Sequence, residues 1–430
     1  MKILYVGHTY TVRANHAKIA ALARAMPNAE ITLLTPHAWK GPLYENRTDL
    51  FEKQSLDALP PGFSFQRTWE STPILSASNS MDSRARGNGN SFREGAEPAS
   101  PVGIVDHRIL RAYFIGKEGA YFFGPSIISL LAGLKPDIVH VEQGAYAVVY
   151  AQILFLLRLF SPRSKAAFFT WWNLPYTPRG VKKLTERFNL SHSAAAVAGN
   201  EAAKAILQQH GFHQPIYVLP QLGMELPTVV ERPLRSTDAF VIGYAGRITK
   251  EKGVLDLVDA VSKMQTKSNV SLYFVGAGDA LEVVRRRAAL NNIPLTHQPP
   301  VMNDALPAHL LKMDVLVLPS LSTPEWVEQF GHILLEAMAY GIPVIGSSSG
   351  EIPNVIGEAG LIFTEGDSLA LARHLDQLLC EPQTCKTLAQ TGRRRVDEHF
   401  TQDIIARKQA AIYDWMLREG RSIGGGKART

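Results

Sequence analysis

The chain has 430 residues, of which 46% are hydrophobic, and it carries a formal net charge of +6 at pH 7. That length is too great for one ordinary hydrophobic core and indicates two domains of about 200 residues each. The only cysteines, Cys380 and Cys385, have no Cys-His cluster near them, which excludes a disulfide framework and a zinc site. No apolar run reaches the ~18 residues of a spanning helix.

The cellular compartment of the protein can be predicted from the same features. Cysteine usage indicates a reducing environment, and the chain enters a strand directly after Met1 and Lys2, so we expect no signal peptide. The expected location is the cytoplasm, either free or at the inner face of the membrane. Any membrane contact would be peripheral.

Apolar strands alternate with amphipathic helices along the chain, which predicts parallel βαβ units in both halves. The predicted strands are 2–7, 31–35, 63–69, 137–142, 166–172, 194–198, 240–245, 271–275, 294–298, 315–319, 343–347 and 361–363. The predicted domains are residues 1–222 and 223–400, followed by a last helix over 401–418.

A polar loop follows the first predicted strand. Loops at the carboxyl edge of a parallel sheet point into the cleft where such sheets bind ligands. The candidates for contacting an acceptor or a phosphate are therefore His8, Arg13, Asn15 and His16. A loop histidine is also commonly just solvated. Glu142, at the end of strand 137–142, is expected to open toward the same cleft and orient a hydroxyl.

Three further segments of the first half differ in composition. Residues 76–100 are rich in Ser, Asn, Gly and Arg, which predicts a disordered insertion. The stretches 108–123 and 153–160 combine basic with aromatic or aliphatic residues. They are either core helices with snorkelling arginines, which we favour for 153–160, or surfaces that lie on an anionic membrane.

Two tryptophans and an asparagine end the strand 166–172. The rings of Trp171 and Trp172 would either stack on a sugar face or pack in the core, and the sequence favours neither. Trp172 and Asn173 are therefore candidate acceptor-binding residues.

The second half opens with a candidate anion site. An apolar strand ends at Gly246 and is followed by Arg247, Lys252 and Gly253 at the entry to an apolar-periodic helix. Two cations and the free N–H groups of a helix start suit a diphosphate. The alternative is a basic, solvated surface turn, and these residues alone do not decide between them.

Two carboxylates lie eight residues apart in the stretch 319–343. Glu328 precedes Gly331, and Glu336 lies among apolar residues of the helix that follows. A continuous helix would separate the two by ~12 Å, roughly the reach from a ribose to the sugar of a nucleotide sugar. An unpaired buried charge is costly, so Glu336 is expected to have a protein partner, whereas Glu328 is expected at the mouth of the cleft.

Together these motifs resemble the retaining glycosyltransferases of family 4, the glycosyl transferases group 1. The resemblance rests on the two motifs above and on residues 274–278, 314–320 and 349–353. It implies the α/β GT-B fold, in which two Rossmann-like doubly wound parallel-sheet domains face each other across a cleft, with the last helix crossing back to the first domain.

The resemblance also assigns roles. Arg247 and Lys252 would grip the diphosphate of the donor, Glu328 would meet the donor sugar, and Glu336 would hold the ribose hydroxyls. The remaining donor contacts would come from Gly246, from the helix start, and from the backbone that meets the base: Gly331, His332, Ile333, Val301 and Met302.

The implied reaction is transfer of a hexosyl group from a nucleotide sugar to a hydroxyl of a carbohydrate or lipid-linked acceptor, with retention by front-face attack, in cell-surface polysaccharide or glycolipid synthesis. No Asp-x-Asp occurs at a strand end, so we expect no metal, no other cofactor and no nucleic-acid partner. The alternatives are a nucleotide-sugar epimerase of GT-B architecture and a noncatalytic sugar-nucleotide-binding protein. A dehydrogenase is disfavoured because Leu281 stands at the third glycine of the fingerprint.

The chain departs from the family at two places on the acceptor side. The Gly-Gly loop that many members have after the first strand is replaced by Gly7 and His8, and the histidine after strand 166–172 is missing. Acceptor recognition by that histidine is therefore not expected.

Overall fold

The computed structural model describes residues 1–12, 15–40, 45–47, 65–69, 105–117, 119–228, 239–266 and 269–424. The predicted insertion at 76–100 and the candidate residue Arg13 lie outside the described residues.

Parallel strands and helices alternate along the described chain. The strands are β1 (Lys2–Val6), β2 (Glu30–Pro36), β3 (Ala38–Lys40), β4 (Glu45–Arg47), β5 (Phe65–Trp69), β6 (Val105–Leu110), β7 (Ala112–Tyr113), β8 (Phe122–Phe123), β9 (Ile138–Val141), β10 (Lys165–Thr170), β11 (Ala195–Ala198), β12 (Ile216–Val218), β13 (Phe240–Ala245), β14 (Val270–Val275), β15 (Leu295–Gln298), β16 (Val315–Leu318), β17 (Val344–Ser347) and β18 (Gly360–Phe363).

The helices have lengths from five to eighteen residues. They are α1 (His16–Ala25), α2 (Ser126–Leu134), α3 (Val148–Phe160), α4 (Val181–His192), α5 (Glu201–Gln209), α6 (Val254–Lys263), α7 (Leu281–Leu290), α8 (Leu306–Leu310), α9 (His332–Ala339), α10 (Ile352–Ile356), α11 (Ser368–Cys380), α12 (Pro382–His399) and α13 (Gln402–Glu419).

Two large sheets organise these elements. The eight-stranded sheet has the order β12-β11-β10-β9-β1-β2-β6-β5, and the six-stranded sheet has the order β15-β14-β13-β16-β17-β18. In the six-stranded sheet every neighbouring pair is parallel, for example Ile242 of β13 opposite Leu272 of β14. In both sheets the order reverses direction beside the first strand of its half, so the carboxyl ends of β1 and β13 lie at the positions where ligands bind in such sheets.

Buried apolar runs explain why these segments form central strands. All four residues of β16, Val-Leu-Val-Leu, are buried, as are all four of β9 and all six of β10. A strand covered on both faces needs such a continuous run rather than alternation. The twelve predicted strands are all present, whereas β6, β12 and the short strands β3, β4, β7 and β8 were not predicted. The strand β6 has a polar centre, Asp106, His107 and Arg108, and its sequence therefore does not show the apolar pattern of a strand.

The described chain divides into two compact units. One comprises residues 1–167, 184–194 and 413–430, and the other comprises 168–183 and 195–412. The predicted domain boundary at residue 222 stays a prediction. Among the described helices, none combines the length and the apolar character needed to cross a membrane.

Candidate active site

Close glycine contacts bring together the loops that follow β13 and β14. Gly246 and Gly276 have φ angles of 149° and 138°, and a Cβ on Gly276 would overlap the carbonyl oxygen of Gly246. The Ile248 N–H donates to the carbonyl oxygen of Ala277 at 2.8 Å, and the Tyr244 hydroxyl donates to the carbonyl oxygen of Arg247. Only glycine fits this approach, which fixes the backbone from which Arg247 projects.

Lys252 ends a short 3-10 turn directly before α6. The turn closes at Gly253, where φ is 65° and a Cβ would overlap the carbonyl oxygen of Pro319 at the end of β16. This packing places the Lys252 ammonium Nζ 2.6 Å from Oε2 of Glu328 and 4.6 Å from the ring centroid of Trp326. Arg247 is 54% exposed, and its Nη1 lies 3.6 Å from Oε1 of Glu251. One cation is therefore held in place and the other is open to a ligand.

Glu328 is the more buried member of the carboxylate pair. Its expected position at the mouth of a cleft stays a prediction. The residue is 7% exposed, and its Oε2 accepts hydrogen bonds from Lys252 Nζ and from the Ser320 hydroxyl at 2.8 Å. Its Oε1 has no hydrogen-bond partner among the described residues. The sequence could not reveal the burial because Ser320 and Lys252 belong to different loops.

The helix α9 begins in a left-handed turn. Gly331 has a φ of 84°, and a Cβ there would lie 2.9 Å from Cδ2 of Leu318. Helix therefore starts at His332, so the continuous-helix distance between Glu328 and Glu336 does not apply. The N–H groups of His332 and Ile333, in the first turn, have no intrahelical acceptor and are available to an anion.

Glu336 is the unpartnered member of the pair. It is partly buried, and within the described part of the chain its carboxylate forms no hydrogen bond or ion pair. Burial raises its pKa to about 7. The expectation that protein groups pair with Glu336 was therefore wrong, because the helix shields the carboxylate without offering it a donor.

The loop after β15 carries the candidate base contacts. Met302 is 77% exposed, and its carbonyl oxygen accepts from the N–H groups of Ala305 and Leu306. Val301 packs partly against the core of the second unit. Its own N–H and carbonyl form no hydrogen bond with described residues, which leaves a backbone edge open.

Glu142, the candidate for orienting an acceptor hydroxyl, is closed off. Its side chain is 0% exposed and its Oε1 lies 2.5 Å from Nζ of Lys18, on α1. The Tyr5 hydroxyl donates to Oε1 at 2.5 Å and the Thr9 hydroxyl to Oε2 at 3.3 Å. Burial alone would raise the pKa of Glu142, but Lys18 and His140 hold it below its usual value. The predicted opening toward a cleft was wrong, because Lys18 covers this carboxylate.

The loop after β1 forms a 3-10 turn over His8–Thr11. His8 lies 2.5 Å from Gln143, through Nδ1 and the side-chain amide, and burial lowers its pKa to about 4. Asn15 donates to the carbonyl oxygen of Thr9 at 2.7 Å, and His16 is buried with its Nε2 2.8 Å from the carbonyl oxygen of Tyr10. His8, Asn15 and His16 thus shape the loop, and their contact with an acceptor stays a prediction.

The two tryptophans separate into different environments. The ring of Trp171 packs 5.5 Å from that of Phe330, and its Nε1 donates to Gln221 at 2.8 Å, so this residue belongs to the core. Trp172 is 39% exposed. Asn173 is buried and donates to the carbonyl oxygen of Val327 at 3.2 Å, which supports the loop that carries Glu328. A sugar contact remains a prediction for Trp172 and Asn173.

The sequence missed three residues that contact the candidate groups: Lys18, Ser320 and Trp326. Lys18 left a signal in the sequence, since it interrupts the otherwise apolar run of residues 17–23. Its partner could not be read from sequence because 124 residues separate it from Glu142.

Comparison with known proteins decides the family. The model described as glycosyl transferases group 1 matches residues 228–395, which contain Arg247, Lys252, Glu328 and Glu336. This region belongs to the glycosyl transferases group 1 family. The resemblance inferred from its motifs is confirmed.

Proteins similar in sequence to this chain are glycosyltransferases by name. The chain is 32% identical to the capsular polysaccharide biosynthesis glycosyltransferase CapM of Staphylococcus aureus over 42% of this chain and 48% of that protein. It is 27% identical to an MMP alpha-(1->4)-mannosyltransferase of Mycolicibacterium hassiacum over 57% and 60%. The chain thus spans roughly half the length of these curated relatives.

Solved structures confirm the GT-B fold class. The complex of Anabaena HepE with UDP superposes with a TM-score of 0.61 at 14% identity, covering 96% of this chain and 100% of that one. Sucrose-phosphate synthase of Thermosynechococcus elongatus superposes with a TM-score of 0.60 at 16% identity, covering 97% and 99%. At these identities the likeness concerns the fold.

Proposed function

We propose that this protein is a hexosyltransferase that moves a sugar from a nucleotide-diphosphate donor to a hydroxyl of a carbohydrate or lipid-linked acceptor, with retention of configuration. The observation that carries the proposal is the arrangement around Lys252 within the group 1 region. A positioned ammonium, an exposed guanidinium and the start of α9 supply three kinds of anion-binding group on loops of one sheet.

The leaving nucleotide diphosphate develops negative charge, and these groups would stabilise it. Glu328 and Trp326 orient Lys252 before the donor arrives, so little reorganisation is needed at the moment of transfer. Arg247, whose one ion pair among the described residues is the 3.6 Å contact with Glu251, would turn toward the diphosphate. The first N–H groups of α9 would bind a remaining phosphate oxygen.

The two carboxylates would hold the ends of the donor. Glu328 would present Oε1, which has no hydrogen-bond partner in the described part of the chain, to a hydroxyl of the sugar. Glu336 would accept hydrogen bonds from the ribose hydroxyls, since no described residue donates one to its carboxylate. The open backbone of Val301 would meet the edge of the base.

Metal independence is part of the proposal. Two cations and a helix start can neutralise a diphosphate without a divalent ion. The cytoplasmic location, the acceptor class and a role in cell-surface polysaccharide or glycolipid synthesis also belong to it. CapM, by its name a capsular polysaccharide enzyme, supports that role.

The transferase is favoured over the two alternatives. The named relatives are transferases, and the epimerase alternative finds no support among them. A noncatalytic binding protein would have no need to retain Arg247, Lys252 and both glutamates, all of which are present.

A thermal-shift panel of UDP- and GDP-sugars tests the proposal. A donor present at ~100 times its Kd should stabilise the protein by about 2.7 kcal/mol. The stabilising sugar nucleotide is then incubated with and without acceptors, and we expect a glycosylated product only with acceptor. Conversion of the nucleotide sugar to an epimer without acceptor, or no stabilisation by any donor, would contradict the proposal.

A further inference from the structure

An apolar groove in the first unit has no part in the proposed transfer chemistry. It has a volume of about 480 Å³ and lies between the β7–β8 hairpin and the helices α2 and α3. Its apolar lining includes Tyr113, Phe122, Ile128, Phe155 and Leu156. Several of these side chains are open to solvent, with Phe155 56% and Ile128 46% exposed.

Of the residues that line the groove, only Tyr113 and Gln152 carry a polar group in the side chain. The amide of Gln152 is engaged on both atoms, because Oε1 accepts from the Phe123 N–H at 2.9 Å and Nε2 donates to the Phe123 carbonyl oxygen at 2.8 Å. These two bonds also fix the hairpin to α3. The groove is therefore built to hold an apolar chain.

Exposed apolar side chains extend beyond the groove. Phe114, 58% exposed, lies 5.8 Å from the ring of Phe122, and Leu159, 62% exposed, follows Phe155 by one helical turn. Phe114 adopts a φ of 56°, a left-handed conformation that is unfavourable for a bulky side chain and is found at functional positions. A continuous apolar face of this kind marks an interaction surface.

Cations border this face. The Arg111 guanidinium lies 5.5 Å from the ring centroid of Tyr113, and the Lys117 ammonium lies 5.8 Å from that of Phe114. The described residues 111–117, 119–134 and 147–163 contain no Asp or Glu; Glu118 lies outside the described residues. Apolar side chains bordered by cations complement an anionic lipid surface, where acyl chains lie beneath negative headgroups.

We infer that this face docks the protein on an anionic phospholipid bilayer, with Phe114, Phe155 and Leu159 inserted below the headgroups and the groove receiving an acyl chain. The contact is interfacial. For segment 153–160 both interpretations then apply, since Ile153, Leu154 and Leu157 are core residues and the opposite face of the same helix would meet lipid. The core-helix interpretation was wrong for segment 108–123, whose described residues contain the end of β6 and the strands β7 and β8.

Flotation of the full chain with phosphatidylcholine vesicles, with and without phosphatidylglycerol, tests the inference. We expect binding to the anionic vesicles that weakens as salt is raised. Phe155→Glu should weaken it about tenfold or more, and Lys117→Glu about fivefold or more. The matched controls are Leu290→Glu, at a 78% exposed leucine of the second unit, and Lys386→Glu, at an exposed lysine of α12.

Three results would overturn the inference: equal binding by Phe155→Glu and wild type, equal weakening by the control variants, or a dimer by light scattering that Phe155→Glu dissociates while vesicles are not bound. The measurement requires no turnover. UDP and GDP binding by the same preparations reports on the proposed donor site, so failure of lipid docking and failure of the proposed function are distinguishable.

Discussion

Each unit contains a lysine–glutamate pair near the carboxyl end of its first strand, and the two pairs differ in what they leave unsatisfied. Lys18 and Glu142 have side chains 3% and 0% exposed, and the carboxylate also accepts from Tyr5 and Thr9. The side chains of Lys252 and Glu328 are 14% and 8% exposed. Oε1 of Glu328 has no partner among the described residues, and Arg247 is open beside the pair.

The difference teaches that an ion pair alone does not identify a site. Burial of a pair with all its hydrogen bonds made produces a structural element, because no atom remains for a ligand. A pair that holds a cation next to unused donors and acceptors is preorganised for binding. We therefore assign the first pair to stability and the second to donor binding.

The largest expected effect is a loss of stability when the buried Lys18–Glu142 pair is broken. Lys18→Met should lower the free energy of unfolding by about 3–5 kcal/mol, because Glu142 would remain buried and unpaired. Urea denaturation measures it. The double variant Lys18→Met, Glu142→Gln should recover a large part of the loss, and UDP and GDP affinity should be unchanged in both. A Lys18→Met protein as stable as wild type would refute the structural assignment.

Breaking the Lys252–Glu328 pair should lower the rate of sugar transfer. Lys252→Ala is expected to reduce kcat by about 10²–10³, since it removes a preorganised contact to the leaving group. It should also cost about 1–3 kcal/mol of stability, because Glu328 loses a partner. Lys250→Ala, at the exposed start of the same turn, is the control. Normal donor turnover by Lys252→Ala would show that this pair has no part in transfer.

Replacing Glu336 should have opposite effects on the stability of the protein and on nucleotide binding. Its folded-state pKa of about 7 exceeds the unfolded value, so its stabilising contribution is present below pH ~4.5 and is lost as the pH rises to 7. At pH 8, Glu336→Gln should therefore stabilise the protein without ligand by up to about 3 kcal/mol, while weakening nucleotide binding. Thermal unfolding and UDP or GDP titration at pH 5 and pH 8 measure both. Unaltered nucleotide affinity would leave the ribose role without support.

The smallest effect is expected from metal removal. Since side chains and N–H groups would neutralise the leaving diphosphate, an excess of EDTA should leave the initial rate of transfer within experimental error. Loss of activity that Mg²⁺ or Mn²⁺ restores would contradict metal-independent stabilisation.

Sequence alone predicted the fold because continuous apolar runs such as β16 and β10 define buried parallel strands, and glycines mark the ends of β13 and β14. It did not predict β12, which has three residues and no fully buried side chain. Short edge strands acquire their structure from a neighbour, here β11, rather than from their own pattern.

Sequence predicted only those features of the candidate site that depend on residues adjacent in the chain. The glycine turn with Arg247 and Lys252 follows from adjacent residues, but the burial of Glu328 depends on Lys252, 76 residues away. A helix pattern correctly identified Glu336 as shielded from solvent. No pattern could reveal that the described residues around it offer its carboxylate no hydrogen-bond donor.

Titration calorimetry of UDP and GDP with wild type and Arg247→Ala tests the central claim most directly. Arg247 is exposed, and its ion pair with Glu251 is long at 3.6 Å, so its replacement should leave the fold intact. The account predicts that wild type binds one of the two nucleotides and that Arg247→Ala binds it at least about tenfold more weakly, through loss of a charge-assisted bond. Equal affinity of the two proteins, with thermal unfolding unchanged, would contradict the claim that the nucleotide diphosphate binds beside Lys252.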